Sequence, residues 1–295
     1  MLPGDELPKL RMANKETAEE LALRAERERR AIDLQRESEL QDSLKPFRVG
    51  SVPYLNAVPL TRGLEEEVEF LLPAQLAEKL RQGDLDAALV SITEVLQHDG
   101  YDILDGIAVA SLGEVRSVFV AHRTPLSEMK EIYCDPASLT SVNLLRVLLG
   151  EQGIIPEYKV LPSYEDAARH DHVLLIGNAA IDFSRAQSGY ELWDLGTAWF
   201  EMTGLPFVYA VWALRRGVEN TRLRRLLREA RDFGMDTLEN LIASRTDYDL
   251  DFRKDYLGWH IHYHLGADEK RGVQRFVQLM EKHGLGPVFQ PRYVS

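Results

Sequence analysis

Two short stretches carry residue types able to hold and transform a small anion. Phe47 to Leu60, FRVGSVPYLNAVPL, stays apolar until Pro53 and then presents Tyr54, Leu55 and Asn56. Proline removes a backbone donor and interrupts regular pairing, so the run reads as a strand delivering an aromatic and a carboxamide to a binding loop. Asn56 equally suits the cap of a helix over residues 57–64, and both readings stand at this level. The second stretch, Asp135 to Ser141 (DPASLTS), precedes the helix-forming string VNLLRVLLG. Ser138, Thr140 and Ser141 cluster where the first amide N–H groups of a helix lack partners and its dipole favours negative charge. A carboxylate bound there needs no lysine or arginine. One hydroxyl is expected as a cap in any case, so the surplus is what points to binding.

Weaker signals surround these two. Asn178, in GNAA after the apolar VLLI, sits at the carboxyl end of a strand, where α/β sheets bind ligands. Ala110 to Ser117 (ASLGEVRS) sets Gly113 in a bend that serves either close ligand approach or plain turn chemistry. Thr203 and Gly204, just before the apolar LPFVYAVWAL, are candidates to line a cleft. His260, His262 and His264 in HIHYH would share a face if extended, but a helical reading splays them and no second ligand cluster is apparent, so no metal is assigned. Cys134 is the single cysteine: it excludes an internal disulfide and reads as a buried, inert thiol at a strand end. Phosphate-binding, nucleophile-elbow and HExxH motifs are absent from the sequence.

The elements that must position these residues alternate. FRVGSV, VEFLL, AALVSI, IAVAS, VRSVFVAH, EIYCD and LLIG read as strands, and residues 75–82, 142–152, 221–242 and 267–283 as helices. Such alternation implies an α/β architecture with mostly parallel sheets. At 295 residues and 45% hydrophobic content the chain can form two lobes with a sizeable core. A formal charge of −12 argues against a nucleic-acid or anionic-membrane surface, though not against a small anion held by local donors. No apolar run nears the ~20 residues of a membrane span. Residues 1–46 carry balanced charges without a secretory pattern, so a cytoplasmic protein is expected. Residues 14–44 have helical spacing, as a solvated helix, a frayed tail or a partner-binding helix, which Pro46 closes.

VGSVPYLNAVPL, GDLDAALVS, VASLGEVRSV, SLTSVNLLRVLL, LLIGNAA and DLGTAWFEMTGLPFVYAVWA, in this order between about Phe47 and Gly286, together resemble the chorismate dehydratase family of the futalosine route to menaquinone. The resemblance implies a two-lobed, type II periplasmic-binding-protein-like α/β fold with the ligand between the lobes. On that template residues 1–46 are an extension, 47–124 and 207–295 form lobe 1, and 125–206 form lobe 2. The implied reaction is dehydration of chorismate to 3-[(1-carboxyvinyl)oxy]benzoate, with a small anionic substrate and no metal or organic cofactor; self-association is left open. Carried over residue by residue, Asn56 matches the asparagine that looks catalytic and Ser117 a serine close to the substrate. Ser138, Thr140 and Ser141 match the carboxylate-holding helix start. Further substrate contacts are expected at Tyr54, Leu55, Ser91, Gly113, Val115, Asn178, Thr203 and Gly204.

An asparagine cannot act as a base at neutral pH, so Asn56 is read as a hydrogen-bonding and positioning group. Glu94 is the nearby carboxylate considered for proton transfer, against a structural role or a base supplied by the substrate itself. Where the family generally has aspartate after the glycine of LLIGD, this chain has Asn178, which keeps hydrogen bonding but not charge. The alternatives are the sister enzyme making 1,4-dihydroxy-6-naphthoate, whose cysteine-containing first loop is replaced here by VPYLNA, and a non-catalytic cytoplasmic carboxylate-binding protein using the same cleft.

Overall fold

The apolar strings close into two sheets. The computed structural model describes residues 23, 24, 26–28, 30–32, 44–186 and 189–295. The first sheet contains β1 (Val49–Ser51), β2 (Val68–Phe70), β3 (Ala87–Ser91), β4 (Tyr101–Ser111), β10 (Phe207–Arg215) and β11 (Tyr293–Val294), in the order β11-β4-β10-β3-β1-β2. The second contains β5 (Val118–His122), β6 (Glu131–Cys134), β7 (Glu157–Val160), β8 (His172–Ile176) and β9 (Glu191–Asp194), in the order β7-β6-β8-β5-β9.

Both sheets are mixed, where the strand–helix alternation predicts mostly parallel ones. β1 runs parallel to β2 and β3, and β6 parallel to β7 and β8, as expected. β10 is antiparallel to β3 and β4, and β5 to β8 and β9. These two strands are the ones by which the chain arrives from the other lobe. Each therefore enters its sheet at the end where its parallel neighbours leave. Because β5 pairs in the second sheet, the first crossover occupies residues 112–117 and not a position near residue 124. Gly113, at φ +87°, makes that early bend possible.

The helices are α1 (Pro73–Gln82), α2 (Ile92–Gln97), α3 (Leu139–Glu151), α4 (Gly177–Ala186), α5 (Leu195–Thr203), α6 (Thr221–Asp236), α7 (Leu238–Ser244), α8 (Leu250–Asp255) and α9 (Ala267–Lys282). Residues 55–61 form a 3₁₀ turn with Pro59 inside it, in place of the helix expected over 57–64. α3 unites the lobes. Its Leu144, Leu145, Val147, Leu148 and Leu149 belong to the same buried cluster as the first sheet. At its start the Thr140 hydroxyl donates to Thr93 Oγ1 of α2 at 3.0 Å and accepts the Thr93 N–H at 3.1 Å. At its end Glu151 meets Lys282 and His283, each at 2.6 Å.

The helix expected over residues 14–44 lies mostly outside the described residues. Where described, residues 23–32 are helical, and Glu28 pairs with Arg62 of the first lobe at 2.6 Å. Leu44, placed ahead of the expected domain start at Phe47, is 1% exposed and belongs to the core. Among the described residues no helix is long and apolar enough to cross a membrane.

The first crossover is held by one carboxylate. Asp194 ends β9 and caps α5 by accepting the Thr197 N–H at 2.9 Å, and it also accepts the N–H groups of Val115 at 3.2 Å and Arg116 at 2.8 Å. Burial raises its pKa while these amide bonds pull it down, with burial the larger effect. Arg116, a non-glycine residue at φ +64°, is kept in that backbone conformation within the clamped turn. Directly behind it, Gly196 must be a glycine: a Cβ there would sit 2.3 Å from the Gly113 carbonyl oxygen and 2.8 Å from Ser111 Oγ.

Gly196→Ala is therefore expected to cost about 1–3 kcal/mol by overpacking; an unchanged urea midpoint would show that the crossover gives way freely. Cys134 supplies a second check. Burial pushes its thiol up to about 12 from 9.0, so the fold retains a proton that the unfolded chain releases. Stability from this group is complete below about pH 9 and declines as pH rises past it. Native protein at pH 8 should resist iodoacetamide and react fully once unfolded; rapid native alkylation would place the thiol at the surface.

Candidate active site

The carboxyl ends of the parallel strands of both sheets face one cleft of about 710 Å³, its mouth included. Several chain segments build its wall. The turn after β1 brings Val52, Tyr54 and Asn56, and the end of β3 brings Ser91. The first crossover contributes Val115 and Ser117, the start of α3 contributes Ser138, Thr140 and Ser141, and Tyr209 comes from β10. Leu89, Val109, Ile176 and Gly177 supply apolar surface. Among the described residues, no aspartate, glutamate, histidine, lysine or arginine lines this wall.

Asn56 and Ser117, expected to act together, meet through a third residue. The Tyr256 hydroxyl donates to Ser117 Oγ at 2.8 Å and also engages the Asn56 side chain. Tyr256 is 1% exposed, at the turn where α8 passes into residues 256–260. Its burial pushes the phenol pKa up, so it stays a proton donor. With Ser117 Oγ accepting from Tyr256, the serine's own hydrogen is directed elsewhere; among the described residues it finds only a long contact of 3.4 Å to the Val115 carbonyl. Asn56 makes no helix cap: Tyr54 holds that position, without a side-chain cap bond. The Tyr54 phenol is pushed up to about 12, chiefly by burial and then by the Asp135 charge.

The start of α3 is a set of unpaired donors. Val142 is the first residue whose N–H joins the helical ladder, reaching the Ser138 carbonyl at 2.9 Å, so the amides of residues 139–141 lie ahead of it. Ser138 occupies the cap position yet makes no capping bond, and its buried Oγ has no hydrogen-bond partner among the described residues. Asp135 shapes the approach: it accepts the Ala137 N–H at 2.9 Å and the Tyr164 hydroxyl at 3.0 Å. Thr140, although in the wall, already uses its hydroxyl on Thr93.

Several expected contacts lie elsewhere. Leu55 is 3% exposed and packs in the core. Gly113 shapes the crossover, with its carbonyl accepting from Ser111 Oγ at 3.0 Å, and stays out of the wall. Asn178 is not in a loop but in the first turn of α4, beside the cleft residue Gly177. Thr203 and Gly204 end α5: the Thr203 hydroxyl donates to the Trp199 carbonyl at 2.8 Å, and Gly204 caps the helix at φ +67°. Glu94 is excluded from proton transfer by its surroundings. Its carboxylate is 1% exposed, bound to Arg81 at 3.0 and 3.1 Å and to His98 at 3.2 Å, and absent from the wall.

Three contributors escape sequence reading. Asp194 precedes a helix, and that cap signature could have found it. Tyr209 hides in an apolar strand. Tyr256 reaches Ser117 across 139 positions of sequence, which no local pattern signals.

Comparison with known proteins places this geometry in a family. The family described as menaquinone biosynthesis matches residues 47–282. The chorismate dehydratase of Thermus thermophilus is 34% identical over 276 residues, spanning 84% of this chain and 100% of that protein. That of Campylobacter jejuni is 26% identical over 230 residues, spanning 76% and 89%. Among solved structures, an Archaeoglobus fulgidus protein superposes with a TM-score of 0.66 at 20% identity, over 81% of this chain and 98% of the other. The periplasmic aliphatic sulphonate binding protein SsuA of Escherichia coli gives 0.54 at 14% identity, over 84% and 93%. The fold is thus periplasmic-binding-protein-like. With the second sheet, all but the last short strand of the first, and every cleft residue inside the matched region, this chain belongs to the menaquinone-biosynthesis family that includes the chorismate dehydratases.

Proposed function

We propose that the protein is a chorismate dehydratase: a carbon–oxygen lyase that removes water from chorismate to give 3-[(1-carboxyvinyl)oxy]benzoate and uses no metal or organic cofactor. The observation that carries this reading is the Asn56–Tyr256–Ser117 network, sharing with an unpaired helix start a cleft that no charged side chain lines among the described residues. The family relatives named chorismate dehydratase support the same substrate. A cytoplasmic location fits a chain in which no described helix can span a membrane.

The product fixes what must happen. One ring carbon loses hydroxide, its ether-bearing neighbour loses a proton, and the ring becomes aromatic. Much of the driving force therefore resides in the substrate, and the protein's task is to orient it and stabilise developing charge. The ring carboxylate docks at the start of α3, on the amides of residues 139–141 and the Ser138 hydroxyl. Asn56 and Ser117 face the departing hydroxyl as hydrogen-bond donors, and Tyr256 holds both in that orientation. No acid or imidazole on the wall is available to take the ring proton. That role falls to the substrate's second carboxylate, on the enolpyruvyl arm, which lies within the same molecule. No step uses a charge at Asn178.

The direct test incubates the protein with chorismate and follows the aromatic enol ether by chromatography and ultraviolet absorption. Intact chorismate that binds but persists would favour the carboxylate-binding alternative. Asn56→Ala should lower kcat by about 10²–10³, the scale of a lost transition-state donor, in a protein whose circular dichroism is unchanged; full turnover would remove Asn56 from the reaction. Tyr256→Phe should reduce kcat about tenfold with little change in KM, since it deletes a positioning bond of roughly 1–1.5 kcal/mol. A change confined to KM would instead make Tyr256 part of the binding surface. Ser138→Ala is expected to act in the opposite sense, raising KM severalfold while kcat holds.

A further inference from the structure

The HIHYH string, which from sequence lacks a further ligand, gains one in the fold. His262 is pinned to the end of β4: its N–H donates to the Ala110 carbonyl at 2.8 Å, and its own carbonyl accepts the Ala110 N–H at 2.9 Å. The rings of His262 and His264 stack on one side of the segment, with centroids 5.7 Å apart. Gly266 then opens α9, and Glu269 in the first turn folds back so that Oε2 accepts the Gly266 N–H at 2.9 Å. Its other oxygen lies 3.1 Å from His264 Nε2. One donor atom from each of His262, His264 and Glu269 falls within a span of 4.8 Å. His260 is not part of this group, since its Nδ1 meets the Glu114 carbonyl at 2.9 Å.

We propose that His262, His264 and Glu269 form a binding site for one zinc-class divalent cation, with a structural role at the hinge between the lobes. Two imidazoles and a carboxylate are a donor set that zinc accepts, with bonds near 2.1 Å and donor-to-donor separations of about 3.4 Å in a tetrahedral shell. The His264–Glu269 edge is already at that scale. The widest edge, 4.8 Å, needs to close by about 1.4 Å, a shift on the scale of a side-chain rotation. Three further features fit a ligand site. Glu269 is 3% exposed, and its second oxygen is oriented by a backbone N–H, as the outer partner of a metal-binding carboxylate usually is. Nδ1 of His262 is buried with no hydrogen-bond partner among the described residues. His264, at 60% side-chain exposure, leaves an entry path and room for a water ligand.

The location gives the site its role. Leu112 of the first crossover and Pro206 of the second border it, and Gly272 of α9 lies so close beneath Pro206 that a Cβ would come 2.2 Å from the Pro206 carbonyl oxygen. A cation held here fastens the start of α9 to the 262–264 segment, which is paired with the end of β4 next to the first crossover. It takes no part in the dehydration.

The experiment uses the full chain, stripped with a chelator and dialysed against zinc chloride alone, with bound metal measured by atomic emission. One zinc per chain at micromolar concentration is expected, together with a rise in melting temperature, and cobalt(II) should develop the visible absorption of a four- or five-coordinate site. His264→Ala, a largely exposed position unlikely to disturb folding, should lose the cobalt band and more than a hundredfold in zinc affinity, beyond the 10–100-fold typical of outer-shell changes. Glu269→Gln keeps an acceptor for the Gly266 N–H and should lose affinity similarly, while His260→Ala should bind as wild type. Absence of stoichiometric zinc, or His264→Ala binding with wild-type affinity, would overturn the proposal and leave His264–Glu269 as an ordinary ion pair.

Discussion

The structure turns on where the chain is allowed to cross from one sheet to the other, and one buried carboxylate decides it. Asp194 gathers amides from two segments distant in sequence, Val115–Arg116 and Thr197, so the end of the last strand of the second sheet and the entry to its first are fixed by the same group. The placement of Ser117 in the cleft depends on that anchor. Ser117 follows two residues after the clamped Val115, and its hydroxyl must meet Tyr256 at hydrogen-bonding distance. A carboxylate suits this task because it accepts several N–H donors at once, and bonds to a charged acceptor are stronger than bonds to a neutral one.

The cleft shows how an anion can be held by a strongly acidic protein. The formal charge of −12 excludes nothing at this scale, because the cleft offers backbone amides and hydroxyls at the start of α3 that suit an anion without any charged side chain. The same helix carries the lobes' shared core and, through Thr140 and Thr93, their direct contact. The donors suited to an anion and the contact between the lobes are therefore carried by one element.

How much of this the sequence revealed depends on the range of each interaction. The α3 start was legible because capping chemistry is local: hydroxyls ahead of an apolar helix mean unpaired amides whatever the rest of the chain does. Asn56 and Ser117 came from motif resemblance, and the structure brings them to one cleft. Glu94 was misread because its position after a strand end suggests the cleft, while its partner Arg81 reaches it from a different helix and draws it away. Thr203 and Gly204 failed for a simpler reason: a threonine and a glycine at that spacing also end a helix, and here they do. The crossover boundary and the antiparallel strands could not be read at all, since strand direction follows from which lobe the chain comes from. Tyr256 belongs to the same class, being informative only once it is packed.

The uncharged wall of the cleft has a consequence for kinetics. A dianion approaching a protein of this net charge meets long-range repulsion, which dissolved salt screens over a Debye length of about 8 Å at physiological ionic strength. The wall of the cleft presents dipoles and no charged side chains, whereas the exposed Glu151–Lys282 pair ties α3 to α9 by charge. For an anionic ligand, added salt therefore weakens the repulsion met on approach and leaves the dipolar wall itself unaffected, the reverse of a site built on exposed lysines and arginines, while it loosens the exposed Glu151–Lys282 pair.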